Sequence, residues 1–201
     1  MVQAKDLPVE IWRECSTYVG QEDLAILSSA SRFLREICIP SLFESITYRP
    51  KYLGRLSRGQ SMVKQAQQLC ELVSNHAIGS AVRKCRLLAT LGRTIWKTSD
   101  EAKAVYCVFL QGFIEALSEF SNLREIEIEL ENDTHLFELL LVLAKLPRLE
   151  SATFHHLHFN RPLVEESLIP CLRLRNLVLK GGYDTIPTFH PEALQYFHLI
   201  K

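Results

Sequence analysis

The amino-acid sequence predicts a protein of mixed helix and strand, between the α+β and the α/β class. An N-terminal helical module is expected to precede an irregular α/β solenoid with a parallel sheet. Apolar residues recur at helical spacing over roughly the first 40 positions, and a short strand-like pattern then appears five times. Since 47% of the 201 residues are hydrophobic and 23% are charged, the composition is typical of a globular protein.

The first helix is predicted from the stretch "DLPVEIWREC" (6–15). Pro8 suits the first helical position, where its missing N–H would have no partner in any case. Gly20 is expected to end the helix, as glycine often does. The apolar stripe of this helix follows i, i+1, i+4, i+7, i+8 spacing and comprises Ile11, Trp12, Cys15, Tyr18 and Val19. So short a helix with so much apolar surface needs something to pack against.

A second helix is expected to begin near Asp23, which can cap its N-terminus, and to stop at Pro40. The apolar face of this second helix would contain Leu24, Leu27, Ala30, Phe33, Leu34 and Ile37. After Pro40 the stretch "SLFESITYRP" leads through an apolar turn into a short extended piece.

The best candidate for a boundary is the segment 49–60, which is rich in basic residues and contains a proline and two glycines. A helical stretch follows at about 60–74, with Met62, Ala66, Leu69, Cys70 and Val73 on one side. The predicted division is therefore a helical module over residues 1–50, a helical connector over 51–80 and a repeat region over 81–201.

The repeat region is recognised by the pattern apolar-x-x-apolar-x-apolar, whose first positions are 82, 123, 149, 174 and 194. The last three intervals fall within the range of roughly 20 to 29 residues that is typical of leucine-rich repeats. Helical stretches are expected between these strands at about 101–119, 134–146 and 163–170. The five matches are Val82-Cys85-Leu87, Leu123-Ile126-Ile128, Leu149-Ala152-Phe154, Leu174-Leu177-Leu179 and Leu194-Phe197-Leu199.

Three stretches of the N-terminal segment form an ordered set: "LPVEIW" (7–12), "DLAILSSASRFLREI" (23–37) and "PSLFESITYRP" (40–50). With this set the segment resembles an F-box of the fungal style. The stretches correspond to the Leu-Pro-x-Glu-Ile opening, the Asp-Leu start of the next helix with its Ser-Arg-x-Phe-like run, and the closing Pro-x-Leu-Phe. One departure is "RECSTYV" (13–19), where the family more often has aliphatic residues. An F-box followed by leucine-rich-like repeats is also a known architecture of that family.

The resemblance implies a non-enzymatic substrate-recognition subunit of a Skp–cullin–F-box type ubiquitin ligase. The F-box would bind the Skp-type adaptor and through it the cullin, and the repeats would bind an unknown protein substrate. A segment of about 40 residues also struggles to bury enough apolar area by itself, which favours a partner. The alternative is a leucine-rich-repeat scaffold whose F-box-like helices form a cap or bind a ligase-independent partner. By matching positions, the adaptor-facing surface and its support would comprise Leu7, Pro8, Ile11, Leu24, Leu27, Ser31, Phe33 and Ile37.

A substrate-facing surface follows from the period of two in a strand, because residues between the inward positions face the other way. The stretch "REIEIELEN" (124–132) places three glutamates on that face. Such glutamates repel one another unless they are solvated or paired with bases on a neighbouring strand. A solvated strand face, partly balanced by Lys84 and Arg86, is favoured over a dedicated site for a basic substrate. The possible substrate-facing residues are Glu125, Glu127, Glu129, Thr153, His155, Asn176, Lys180, Tyr196 and His198.

Other functions find little support in the sequence. The formal net charge is zero, with 23 basic and 23 acidic side chains, so neither nucleic acid nor an anionic membrane is an expected partner. The six cysteines form no CxxC pair and are expected to be buried thiols. Histidines 155, 156 and 158 lack the further ligands of a metal site, so no metal, cofactor or catalytic group is predicted.

The expected location is the cytoplasm or the nucleus, because neither a signal peptide nor an apolar run of membrane-spanning length is recognisable. The final stretch, "LQYFHLIK" (194–201), is strand-like and lacks a polar capping unit. We therefore expect a truncated or short member of such a repeat family.

Overall fold

The computed structural model describes residues 7–49, 58–89, 100–130, 135–155, 174–180 and 196–200. Within them a single parallel sheet has six strands, which lie side by side in chain order. The fold is therefore of the α/β class with a parallel sheet, as the sequence predicts. The strands are β1 (Ser45–Tyr48), β2 (Lys84–Ala89), β3 (Glu125–Leu130), β4 (Ser151–His155), β5 (Asn176–Lys180) and β6 (Tyr196–Ile200).

Seven helices lie within the same residues, and the helical stretches predicted around 101–119 and 134–146 are among them. The helix predicted at about 163–170 lies outside the described residues. The helices are α1 (Val9–Thr17), α2 (Gln21–Ala30), α3 (Arg32–Leu42), α4 (Arg58–Val73), α5 (His76–Ala81), α6 (Asp100–Leu117) and α7 (Leu136–Lys145).

The core lies between one face of the sheet and the helices α4, α6 and α7. Alternate strand residues point into it, which confirms the inward positions predicted from the apolar pattern on β2, β3 and β4. On α6 the fully buried side chains include Phe109, Phe113 and Leu117. The inward strand residues are Cys85, Leu87 and Ala89 on β2, Ile126, Ile128 and Leu130 on β3, Ala152 and Phe154 on β4, and Leu177 on β5.

The first helix begins and ends differently from the prediction. Pro8 stands just before the helix, with extended ψ of 143°, and Val9 is the first helical residue. The helix already ends at Thr17, so Gly20 does not end it. Gly20 instead occupies the position before α2, where its carbonyl accepts the N–H of Leu24 at 2.9 Å. Asp23 is accordingly the third residue of α2 rather than its cap. Its negative charge interacts favourably with the positive N-terminal end of the helix dipole.

The predicted second helix is in fact two helices, α2 and α3, divided at Ser31. Ser31 has an extended backbone, and its hydroxyl oxygen accepts the N–H of Leu34 at 3.1 Å. This capping bond stabilises the start of α3 at the point where a continuous helix would otherwise run on. Pro40 does not stop α3, which continues to Leu42. A proline so near the C-terminus removes only one backbone bond, while Phe43 N–H still donates to Ile39 O at 3.0 Å.

Strand β1, expected only as a short extended piece, joins the N-terminal helices to the sheet. It pairs with β2 in parallel, with Ser45 opposite Lys84 and Tyr48 opposite Leu87. The ring of Tyr48 stacks on Phe109 with centroids 5.5 Å apart and on Phe113 at 6.2 Å. Burial raises the pKa of the Tyr48 hydroxyl well above its ordinary value, and this hydroxyl has no hydrogen-bond partner in the described structure. Aromatic packing therefore holds the N-terminal module against the core.

Helix α5 is a further element that the hydrophobic pattern did not reveal. It is short, and Asn75 caps it by accepting the N–H of Ala77 at 3.1 Å. Gly79 on this helix allows a close approach, because a Cβ there would lie 2.8 Å from Glu119 O and 3.1 Å from Val73 O. Both neighbours are backbone atoms, so neither can move aside independently. The turn after α6 is thereby held against α5.

Replacing Gly79 by alanine should destabilise the protein, although glycine to alanine usually stabilises a helix by about 1 kcal/mol. The added methyl group would force two backbone carbonyls apart, and overpacking of this kind costs about 1–3 kcal/mol. Urea denaturation followed by circular dichroism measures the change. The matched control is Ser80→Ala on the same helix, which should change stability by less than about 0.5 kcal/mol. A Gly79→Ala variant as stable as the wild type would contradict the proposed close contact.

Candidate functional site

The two N-terminal helices, α1 and α2, both pack on α3. From α1, the Trp12 ring meets Phe33 edge to face, with centroids 6.2 Å apart. One turn further along, the Ser16 hydroxyl lies 3.1 Å from the Ser41 hydroxyl and donates to Arg13 O at 2.7 Å. The buried side of α1 is therefore narrow and partly polar.

A second, apolar stripe of α1 lies beside the packed side and faces solvent. Ile11, Cys15 and Tyr18 are exposed at i, i+4 and i+7 spacing, with half of Ile11 accessible. The predicted stripe of α1 is thus two stripes, since Trp12 and Val19 are half-buried while these three residues point outward. Leu7, ahead of the helix, and Pro8 are exposed as well. Three of the residues matched to the F-box pattern, Leu7, Pro8 and Ile11, therefore lie at the surface.

On α2 and α3 the matched residues have different environments. Leu24 and Ile37 are buried, with 3% and 4% of their surface accessible, so they stabilise the helical module itself. Leu27 is exposed at the border of the packed face, and Phe33 is half-buried under Trp12. Ser31 has a structural task, because it caps α3. The matched set therefore divides into a surface part and a supporting part.

Ile26 is a surface residue that sequence reasoning missed. It lies 67% exposed on α2, two positions beyond the buried Leu24 and so on the opposite side of the helix. The sequence could have indicated it, because Ile26 is an aliphatic residue that does not belong to the apolar face predicted for this helix. Val9, the first residue of α1, is exposed as well. Together with Leu7, Ile11, Tyr18 and Leu27 these residues are called the N-terminal apolar surface below.

The second candidate surface is the face of the sheet opposite the core, called the open face. Its residues form rows across the strands, because the parallel pairing keeps equivalent positions in register. One row contains Lys84, Glu125, Ser151 and Asn176, the next contains Arg86, Glu127, Thr153 and Val178, and the third contains Leu88, Glu129, His155 and Lys180. Tyr196 and His198 lie in register on β6, but their side chains are outside the described structure.

Two of the three glutamates on the open face are neutralised by bases on β2. Lys84 Nζ lies 3.1 Å from Glu125 Oε1. Arg86 holds Glu127 with both ends of its guanidinium, Nε to Oε2 at 2.8 Å and Nη2 to Oε1 at 3.0 Å. The pairing expected from neighbouring strands is therefore present. His155 Nε2, on β4, adds a third contact to Glu127 Oε1 at 2.7 Å.

Glu129 differs from the other two glutamates. It lies between Leu88 and His155 in the register, and no ion pair or hydrogen bond reaches its carboxylate from the described residues. A second acceptor on the open face, Asn176 Oδ1, is buried and has no hydrogen-bond partner there either. Since Asn176 Oδ1 is buried, a partner on this face would meet one unpaired carboxylate, that of Glu129, and not a continuous acidic surface.

A cavity of about 840 Å³ lies on the helical side of the molecule, between α4 and α6. Its wall is apolar around Ala66, Val108 and Gly112 and carries two carboxylates, Glu71 and Glu115. Cys70, whose thiol donates to Gly112 O at 3.3 Å, and Cys107 also line it. None of the residues predicted to bind adaptor or substrate borders this cavity.

The burial of the cysteines varies more than the sequence suggested. Cys38 and Cys85 are buried, and burial raises the pKa of the Cys85 thiol to about 12. Cys70 and Cys107 are half-buried, and Cys15 is exposed on α1, contrary to the expectation of burial. Cys171 lies outside the described residues. Among those residues, no group of three or more potential ligands is placed to hold a metal ion.

Comparisons with protein families and with curated proteins identified no relative of this chain. No protein-family model matches the chain, and a comparison with curated proteins found no match. Within the described part of the chain, no helix has both the length and the apolarity needed to cross a membrane.

The open face yields a prediction about stability. Glu127→Gln should lower the free energy of unfolding by about 1 kcal/mol, because the carboxylate accepts charge-assisted bonds from Arg86 and is adjacent to His155 in a half-buried position. Glu129→Gln, on the same strand, should leave stability unchanged or raise it slightly, since it relieves repulsion without losing a bond. Chemical denaturation at low and high salt measures both variants. Equal destabilisation by the two changes would show that the paired contacts contribute nothing specific.

Proposed function

We propose that this protein is the substrate-recognition subunit of a Skp–cullin–F-box type ubiquitin ligase, with an F-box-like helical module followed by a leucine-rich-repeat-like solenoid. The observation that carries the proposal is the position of the exposed apolar side chains. Within the described residues seven large hydrophobic side chains are exposed, and six of them lie between residues 7 and 27. These six are the N-terminal apolar surface, and they overlap with the residues that resemble an F-box.

The arrangement of these side chains supports binding of a helical or grooved partner. Ile11, Cys15 and Tyr18 are spaced as anchors on one side of α1, while Leu27 and Ile26 are exposed on α2. Covering apolar area contributes roughly 25 cal/mol per Å², so several such side chains give an association surface its main driving force. The F-box resemblance suggests a Skp-type adaptor as that partner. Leu24 and Ile37 would support the surface from below.

The open face of the sheet is proposed to bind the target protein. It carries a mixed set of charged, polar and apolar side chains in ordered rows, as extended binding surfaces of repeat proteins do. No catalytic group is required of this chain in such a ligase. Its contribution would be to hold the target near the ubiquitin-charged enzyme and so raise the effective concentration of the target there.

One observation favours a second candidate, a repeat scaffold in which the N-terminal helices form a cap. Strand β1 extends the sheet, and Tyr48 packs between β2 and α6, so the module does cover one end of the core. A cap has no need of exposed apolar side chains on its outer side, however. Ile11, Ile26 and Tyr18 point away from α3 and are not explained by capping.

The adaptor proposal is tested by co-purification of the full chain with a Skp-type adaptor. The double change Leu7→Ala and Ile11→Asp should weaken the complex by about 100-fold or more, because it removes one apolar anchor and places a charge where another was buried. Both side chains are exposed in the free protein, so the melting temperature should stay close to that of the wild type.

The matched control is Val108→Asp, which alters the remaining exposed large hydrophobic residue, on α6 and outside the N-terminal module. This variant should bind the adaptor as the wild type does. Failure of the wild-type chain to form any adaptor complex would support the scaffold instead. An unchanged complex with the doubly altered chain would show that the N-terminal apolar surface is not the contact.

A further inference from the structure

The cavity of about 840 Å³ between α4 and α6 has no part in the proposed ligase function. Its volume lies within the roughly 300–1,000 Å³ that is typical of sites for small molecules. Val108 lies in its wall, and it is the one large hydrophobic residue of the described chain that is exposed outside the N-terminal module. An apolar side chain is thus exposed inside a concave surface, where a ligand would cover it.

The cavity has a firm floor, because α4 and α6 are in close contact there. A Cβ at Gly112 would lie 3.0 Å from Ala66 Cβ, so the glycine allows the two helices to approach each other. Across the same contact the Cys70 thiol donates to Gly112 O at 3.3 Å. The cavity is therefore shaped by the packing of the two helices.

The two helices run in the same direction, because each of them lies between two parallel strands in the chain. Their C-terminal ends also lie together, since both Val73 O and Glu119 O would be within 3.1 Å of a Cβ at Gly79. Residues near the C-terminal end of α4 are therefore neighbours of residues near the C-terminal end of α6.

This common direction gives the cavity an apolar end and an acidic end. Val63 on α4 and Val108 on α6 line the end that is nearer the N-termini of the helices. Glu71 and Glu115 line it about two turns further along the same helices. No lysine or arginine is among the lining residues that the structure describes. A ligand with a hydrocarbon part and a positive charge would match both ends.

The negative charge at the acidic end is not balanced by neighbouring side chains. Glu71 lies in the last turn of α4 and Glu115 in the last turn of α6, and neither turn contains a basic residue. The C-terminus of a helix carries a partial negative charge, which a cation usually balances. Glu115 Oε1 accepts the Gln111 amide at 3.1 Å, and neither carboxylate forms an ion pair within the described residues. The negative field reaches into the cavity, because burial and, after it, the Glu115 charge raise the pKa of the Cys70 thiol.

We propose that this cavity binds a small amphiphilic amine, an organic cation with a hydrocarbon body. The body covers Val63 and Val108, and the ammonium group donates hydrogen bonds to Glu71 and Glu115. Burial of methylene groups and charge-assisted hydrogen bonds both favour such a ligand. The inference goes beyond the proposed function and does not depend on it, because the cavity shares no residue with the N-terminal apolar surface or the open face.

A free amine fits the cavity better than the lysine of a docked partner helix does. Binding of a helix in a groove uses apolar anchors at i, i+3, i+4 and i+7, which extend along about two turns. The apolar part of this cavity, around Val63 and Val108, is followed within that length by the two carboxylates. The cavity therefore has room for one hydrocarbon body beside one positive charge.

Octylammonium is the probe for this site, and octanol and octanoate are its matched controls with the same chain length. In isothermal titration calorimetry of the full chain at pH 7 and fixed salt, octylammonium should bind about tenfold more tightly than octanol, and octanoate more weakly still. Hexylammonium should bind about four- to sixteenfold more weakly than octylammonium, since each buried methylene group contributes up to a factor of about four. Equal affinity for the amine and the alcohol would overturn the proposal.

The position of the ligand is tested by alkylation of the cysteines with iodoacetamide, followed by mass spectrometry of the peptides. Cys107 lines the cavity, whereas Cys15 is exposed on α1 and does not line it. Saturating octylammonium should slow the alkylation of Cys107 several-fold and leave that of Cys15 unchanged, because only the first thiol is covered by the ligand. Equal effects on the two thiols, or no effect on Cys107, would contradict binding in this cavity.

The double variant Glu71→Gln and Glu115→Gln should lose about tenfold in affinity for octylammonium, while its weak affinity for octanol stays unchanged. Glu119→Gln is the matched control, since Glu119 is exposed just beyond α6 and does not line the cavity. Both lining carboxylates are exposed, so thermal melting should show that the double variant is as stable as the wild type. Wild-type affinity for octylammonium in the double variant would overturn the proposal. Tighter binding of a leucine-faced helical peptide with a central lysine than of octylammonium would overturn it as well, in favour of a docked partner helix.

Discussion

The in-register pairing of parallel strands is the constraint on which the rest of the structure depends. Because each strand lies beside the next one in the chain, equivalent positions of successive strands form rows across the sheet. One set of rows, which includes the row of Cys85, Ile126 and Ala152, is buried against the helices. A second set covers the open face, and a third places charged residues before the strands. A slip of one residue would exchange the buried and open sets, so burial itself maintains the register.

The N-terminal module joins this sheet by aromatic packing. Tyr48 brings β1 beside β2 and rests on the phenyl rings of α6, while α3 serves as the common support for α1 and α2. Because one side of each of these two helices packs on α3, the apolar residues on their outer sides are not covered by any described residue. Attachment to the core and availability to a partner therefore come from different residues of the same short module.

Charged side chains are paired differently on the open face of the sheet and at the starts of its strands. On the open face a basic strand lies beside an acidic one, so Glu125 and Glu127 find bases directly across the ladder. At the starts of the strands Arg83 and Arg175 form looser pairs with Glu44 and Glu150. Arg124 and Arg148 make no ion pair with any described residue. The two polar parts of one sheet therefore differ in how closely their charges are paired.

The sequence by itself determined the repeated strands, the parallel α/β sheet, the helices α4, α6 and α7, and the two faces of the central strands. Periodicity suffices for these because a buried face must repeat every second residue in a strand and about every 3.6 residues in a helix. Only the tertiary structure decided that Ser31 divides α2 from α3, that β1 belongs to the sheet, and that Ile11 faces solvent while Trp12 faces α3. It alone also placed Glu71 and Glu115 at one end of a cavity between α4 and α6. The division at Ser31 rests on a local capping bond that the continuous apolar pattern conceals. The other features depend on contacts between residues far apart in the chain, and local patterns carry no information about which distant segments will meet.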